Sequence, residues 1–155
     1  MWAVSFIDGE LGECKWKPHQ QRIFVLAELQ DLRDEYERMT GWECVTPEEY
    51  LADIETTALF VFVNDKVVCL SETRPGFSRE TVIAEEFVGR GVDVRTVAAI
   101  ARAAGAMVGL KRFVVGTRAP ANGRIAGLAK LYQREGLAIS TIELMGEVNG
   151  QQENP

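Results

Sequence analysis

Thr81-Val82-Ile83-Ala84-Glu85-Glu86-Phe87-Val88-Gly89-Arg90-Gly91-Val92-Asp93-Val94-Arg95 is the stretch on which the fold turns. Its first eight residues are largely β-branched or apolar and read as a strand. Gly89-Arg90-Gly91 breaks the chain. From Val94 the period changes: Val97, Ile100, Ala101, Ala104 and Val108 recur at helical spacing through an alanine-rich segment. The helix is followed by a further apolar-cored run, Lys111-Arg112-Phe113-Val114-Val115-Gly116-Thr117. Strand, turn, helix and strand in that succession predict a parallel crossover.

Upstream, Ala58-Leu59-Phe60-Val61-Phe62-Val63 reads as a strand. Asn64-Asp65 turns the chain and Lys66-Val67-Val68-Cys69-Leu70-Ser71 returns antiparallel. Pro75-Gly76 marks the next turn, so residues 58–88 form a three-strand meander. Earlier still, residues 2–7 form a strand, Asp8-Gly9 a turn and residues 11–17 an irregular segment. Val25, Leu29, Leu32, Tyr36 and Met39 line one face of a helix that starts at Pro18 and stops at Gly41. Glu28, Asp31, Arg33, Asp34, Glu35 and Arg38 fill its other positions. Thr46-Pro47-Glu48-Glu49 opens a short second helix over residues 47–55. Downstream, Pro120-Ala121-Asn122-Gly123 is a loop and residues 125–134 a helix with Tyr132 on its inner side. That helix ends at Gly136, and residues 137–147 close the sheet.

The expected architecture is therefore α+β: a mixed, mostly antiparallel sheet with one parallel βαβ crossover and helices on both faces. Residues 1–148 are expected to form a single domain, and the polar, patternless residues 149–155 a disordered tail.

Composition narrows the function classes. The 155 residues are 46% apolar and 26% charged, as in globular domains. A net charge of −6 argues against a nucleic-acid partner, which would call for a basic face. Arg90, Arg95, Arg102, Lys111, Arg112, Arg118 and Arg124 make the second half locally basic, as an ordinary surface or as an anion site. Three scattered cysteines, a single His19 and no CxxC point to no metal site. Met1–Ile7 gives way at once to Asp8 and Glu10, so no leader is expected, and no apolar run reaches membrane-span length. A cytoplasmic setting is expected.

The order of elements over residues 58–147 resembles the GNAT superfamily of acetyl-CoA-dependent N-acetyltransferases. In that family a strand leads into a glycine-rich turn whose backbone N–H groups hold the cofactor pyrophosphate at a helix N-terminus. Here the matching piece is Phe87 to Arg95, so the resemblance implies cofactor contacts from Val88, Gly89, Arg90, Gly91, Val92, Val94 and Arg95. Asn122 and the segment Ala129-Lys130-Leu131-Tyr132-Gln133-Arg134-Glu135-Gly136-Leu137 look like the family's later asparagine and its helix ending in tyrosine and glycine. The resemblance implies acetyl-CoA as cofactor, an amine (small molecule or protein) as acceptor, and Tyr132 as the acid that protonates the leaving thiolate. Glu85 or Glu86 would serve as the general base. Asp93 and Arg95 depart from the pattern by standing where the family has small residues.

Each of these residues also has a plainer reading: a tight turn for Gly89 and Gly91, a core tyrosine for Tyr132, a loop cap for Asn122, and a solvated strand end for Glu85 and Glu86. Two functions follow. One is an acyl-CoA-dependent N-acyltransferase. The other is a degenerate family member that acts by binding, as some small bacteriophage proteins do in virion assembly or host interaction. The latter would take a protein partner or a second copy of itself, and could reside in a virion.

Overall fold

A computed structural model describes residues 1–116, 127–140 and 148. The chain divides into two compact units, Met1–Val115 and Gly116–Pro155. The first is α+β. Its strands are β1 (Trp2–Ile7), β2 (Glu10–Glu13), β3 (Leu59–Val63), β4 (Lys66–Thr73), β5 (Val82–Val88) and β6 (Phe113–Val114). Its helices are α1 (Pro18–Thr40), α2 (Pro47–Ile54) and α3 (Val94–Val108). The strands form one mixed sheet in the order β2-β1-β3-β4-β5-β6.

The meander and the crossover are present as expected: β3, β4 and β5 pair antiparallel, and β5 pairs parallel with β6 across α3. A second parallel pairing is added. β1 lies parallel to β3, with Trp2 opposite Leu59, so α1 and α2 together make another crossover. The expectation of one parallel crossover is thus corrected to two. The cause lies in residues 11–17, expected to be irregular. Asp8 (φ 51°) and Gly9 (φ 80°) both take left-handed backbone, which suits a tight two-residue hairpin. Leu11–Glu13 therefore return as part of β2 and occupy the outer side of β1, leaving its inner side to β3. β2 is short and mostly exposed, so it carries no alternation to read.

Caps fix the helices where the sequence places them. Thr46 Oγ1 accepts from the Glu49 amide at 3.1 Å, and Gly41 ends α1 in left-handed backbone at φ 69°. Val25 and Leu29 of α1 and Leu51 of α2 pack on Phe60, Phe62, Val67, Cys69 and Phe87. Alternation turns Leu59, Val61, Val68 and Leu70 to the opposite face, which α3 covers. There Arg102 stacks over Phe113, whose register partner is Ile83. Two residues expected on one face of α1 part company: Val25 is fully buried, whereas Met39 is 50% exposed. The stripe is completed by Glu28, expected on the outer face but only 4% exposed.

β5 contains the feature that positions the site. Its register against β4 shifts: Cys69 faces Phe87, yet Leu70 faces Glu85, leaving Glu86 as an extra residue. In such a bulge the extra residue and its neighbour turn to the same side. Ile83 can then face α3 while Phe87, four residues on, faces α1 and α2.

The second unit contributes α4 (Gly127–Arg134). It stops as expected, with Gly136 at φ 91° and the Leu137 amide donating to the Tyr132 carbonyl at 3.1 Å. Residues 137–140 are not in a strand. The strand expected there, the start of the helix at 125–126 and the tail at 149–155 otherwise fall outside the described residues.

Candidate functional site

The turn between β5 and α3 is where an anion site was expected, and three of its amides, those of Gly89, Arg90 and Val92, donate to protein groups. Val88 closes β5. The Gly89 amide points into the sheet and donates to the Val67 carbonyl at 2.7 Å. The Arg90 amide donates to Glu28 Oε2 at 3.2 Å. Val92 donates back to the Gly89 carbonyl at 3.4 Å, and Gly91 turns the chain at φ 83°.

Glu28 reaches this turn from the middle of α1. Its other oxygen lies 3.4 Å from Lys66 Nζ, so the buried carboxylate has a cation on one side and an amide on the other. A carboxylate this enclosed persists only when it is paired and hydrogen-bonded. The Arg90 guanidinium is also engaged, 3.3 Å from Glu35 Oε2. Gly89 is small for a reason internal to the protein: a Cβ there would lie 2.9 Å from Glu28 Cδ and 2.9 Å from the Val67 carbonyl oxygen.

Asp93 is the N-cap of α3. Its carboxylate accepts from the Thr96 amide at 2.7 Å, and its carbonyl accepts from the Val97 amide at 3.0 Å. The Thr96 amide, then the Thr96 side chain, hold the Asp93 carboxyl below its ordinary range, with Arg95 adding to the effect. Val94 is buried under the first turn of the helix and Arg95 is exposed. An outside anion reaching the amides of Gly89, Arg90 and Thr96 would have to displace a carbonyl and two carboxylates.

A second cluster surrounds the bulge. Ser71 Oγ donates to Glu86 Oε1 at 2.6 Å. Burial pushes the Tyr50 phenol up to about 12, and the negative charge of the nearby Glu86 carboxylate adds to the rise. Cys69 is buried in the same place; desolvation, then Glu86, push its thiol far up, so it is an inert thiol rather than a nucleophile. Tyr50 and Phe87 meet edge to face at 6.4 Å. Glu86 therefore belongs to the α2 side, and Glu85 pairs in register with Leu70. A half-buried carboxylate between two hydroxyls can accept a proton or hold a polar group.

The sequence singled out Glu86 but not Tyr50, Ser71 or Glu28. The bulge is invisible without the β4 register, whereas Glu28 had a signal: it lies three residues after Val25 and adjacent to Leu29, on the buried stripe.

Of the remaining candidates, Tyr132 is a buried residue of α4 in the second unit, and Asn122 lies outside the described residues. Among the described residues no group of His, Cys, Asp and Glu is placed to hold a metal ion. Nor is any described helix long and apolar enough to cross a membrane. In comparisons with family models, curated proteins and solved structures, nothing matches this chain.

Proposed function

We propose that this protein acts by binding, on an acyltransferase-like order of elements that does not perform acyl transfer. One observation carries the reading: the Glu28 carboxylate occupies the Arg90 amide in the turn where a cofactor pyrophosphate would sit. The Asp93 cap and the inward Gly89 amide support it. The partner is a protein, as in the small bacteriophage proteins of similar element order that serve in virion assembly or host interaction. Titration of the purified chain with acetyl-CoA, followed by thermal melting, tests this. The expected result is an unchanged melting temperature at millimolar cofactor. Saturable stabilisation, about 2.7 kcal/mol at a hundredfold the dissociation constant, would overturn it.

A second reading, N-acyl transfer from acetyl-CoA to an amine, is favoured by the bulge cluster. Glu86 is a half-buried carboxylate on β5, beside Tyr50 and Ser71, and is suited to taking a proton from an amine. Tyr132 would be the acid in this reading. Thiol release from acetyl-CoA in the presence of amines, lost in Glu86→Gln and Tyr132→Phe, is its test.

A further inference from the structure

The chain carries a plug and a socket of complementary chemistry. The plug is the β4–β5 loop, Arg74-Pro75-Gly76-Phe77-Ser78-Arg79-Glu80. The loop is held by its own hydrogen bonds: Ser78 donates its amide to the Pro75 carbonyl at 2.9 Å, and the Glu80 amide donates to Ser78 Oγ at 3.0 Å. Gly76 takes the left-handed backbone of the turn at φ 51°. Phe77 stands at its tip with a relative exposure of 109%, between the exposed Arg74 and Arg79. An aromatic ring held wholly in water on a hydrogen-bonded turn, with an arginine on each side, has the composition of an interface anchor.

The socket is a groove of about 760 Å³ beside the first hairpin. Trp16 and Phe24 meet edge to face at 4.8 Å in its wall. The Trp16 indole N–H donates to the Asn64 carbonyl at 2.6 Å, which fixes the wall to the β3–β4 turn. Exposed Asp8 and Asp65, from the two turns at this end of the sheet, stand on its lining, as does Lys15. Among the described residues Arg74, Arg79, Asp8 and Asp65 enter no ion pair. The β3–β4 turn precedes β4 and the Phe77 loop follows it, so socket and plug lie at opposite ends of that strand.

We infer that two copies of this chain associate head to tail, with Phe77 of one seated against Trp16 and Phe24 of the next. Arg74 and Arg79 then lie against Asp8 and Asp65. Because the two surfaces differ, the contact is heterologous: repetition closes a ring or extends a filament. The inference goes beyond the binding reading and does not depend on the closed turn, since a monomer would overturn it while leaving the acetyl-CoA titration untouched.

Sedimentation velocity across a wide range of protein concentration and salt is the test. Wild type should show mass rising with concentration and falling with salt. Phe77→Ala should weaken association about tenfold or more. Arg74→Asp with Arg79→Asp, or Asp8→Arg with Asp65→Arg, should each give a monomer, and mixing the two double variants should restore assembly. All of these positions are exposed, and an unchanged circular dichroism spectrum will show that each variant folds. A wild-type monomer at every concentration overturns the proposal, leaving the Phe77 loop to another partner. So does an assembly that Phe77→Ala leaves intact, or a mixture that stays monomeric.

Discussion

Glu28 Oε2 and the Arg90 amide nitrogen meet at 3.2 Å, joining the middle of α1 to the turn that launches α3. The same carboxylate draws in Lys66 at the start of β4. One side chain therefore fastens three elements that are distant in sequence. Glu28→Ala leaves a half-buried amide and an ammonium without that acceptor, and should cost about 1–3 kcal/mol. Glu28→Gln retains an acceptor oxygen and should cost less. Urea unfolding midpoints check both, and an unshifted midpoint in Glu28→Ala would show that the contact contributes nothing.

Gly89→Ala should destabilise through the same contact. The added methyl meets Glu28 Cδ and the Val67 carbonyl oxygen, each at 2.9 Å, and the second of these belongs to a sheet backbone. Overpacking of this kind costs about 1–3 kcal/mol. Adding Glu28→Ala to Gly89→Ala should not restore stability, because the carbonyl remains in the way. Recovery in the double variant would show that the side chain alone constrains the glycine.

Asp93 gives a pH dependence with a definite sign. Its carboxyl is held below the ordinary value of 3.8 by Thr96, so the folded state favours the charged form. The cap's contribution is whole above 3.8 and fades as the pH falls through the lower folded value. Asp93→Ala should cost about 0.5–2 kcal/mol at neutral pH, typical of a lost cap. Asp93→Asn should keep most of the cap while flattening the acid limb of the stability profile, as followed by thermal melting. An acid limb identical to wild type would assign that limb to other carboxylates.

Tyr50 acts at the alkaline end with the opposite charge logic. The folded state holds its phenol neutral up to about 12, whereas the unfolded chain ionises near 10.0. Stability should be unaffected by this group below 10.0 and should decline as the pH rises from there toward 12. Tyr50→Phe should lessen that decline. Denaturant unfolding in alkaline buffers measures it, and an equal decline in both proteins would remove Tyr50 as the cause.

Local chemistry made much of the fold legible. Thr46-Pro47, Gly41, Asn64-Asp65 and the period change after Gly91 mark element ends through caps and turn conformations, which depend on a few neighbouring residues. The pairing of β1 with β3 was not legible, because it depends on which side of β1 the short β2 occupies. For the same reason the sequence announced a glycine-rich turn at residues 89–91 but not the carboxylate inside it. Glu28 lies on another helix, and its reach is a tertiary matter. Glu86 was visible as a strand-end carboxylate; its company with Tyr50 and Ser71 arises from a one-residue register slip between β4 and β5.

The parallel pairing of Trp2 with Leu59 bears on how the chain assembles. β3 is Leu-Phe-Val-Phe-Val, buried along nearly its whole length, and β1 covers one of its two hydrogen-bonding edges. That pairing closes a long loop, so it is entropically dearer than the tight β3–β4 hairpin. Until the N-terminal strand docks, an apolar ribbon offers unpaired amides and carbonyls to any passing chain, which is the template from which aggregates grow. The opening residues, remote from every candidate catalytic group in sequence, thereby guard the nascent sheet against self-propagating misassembly.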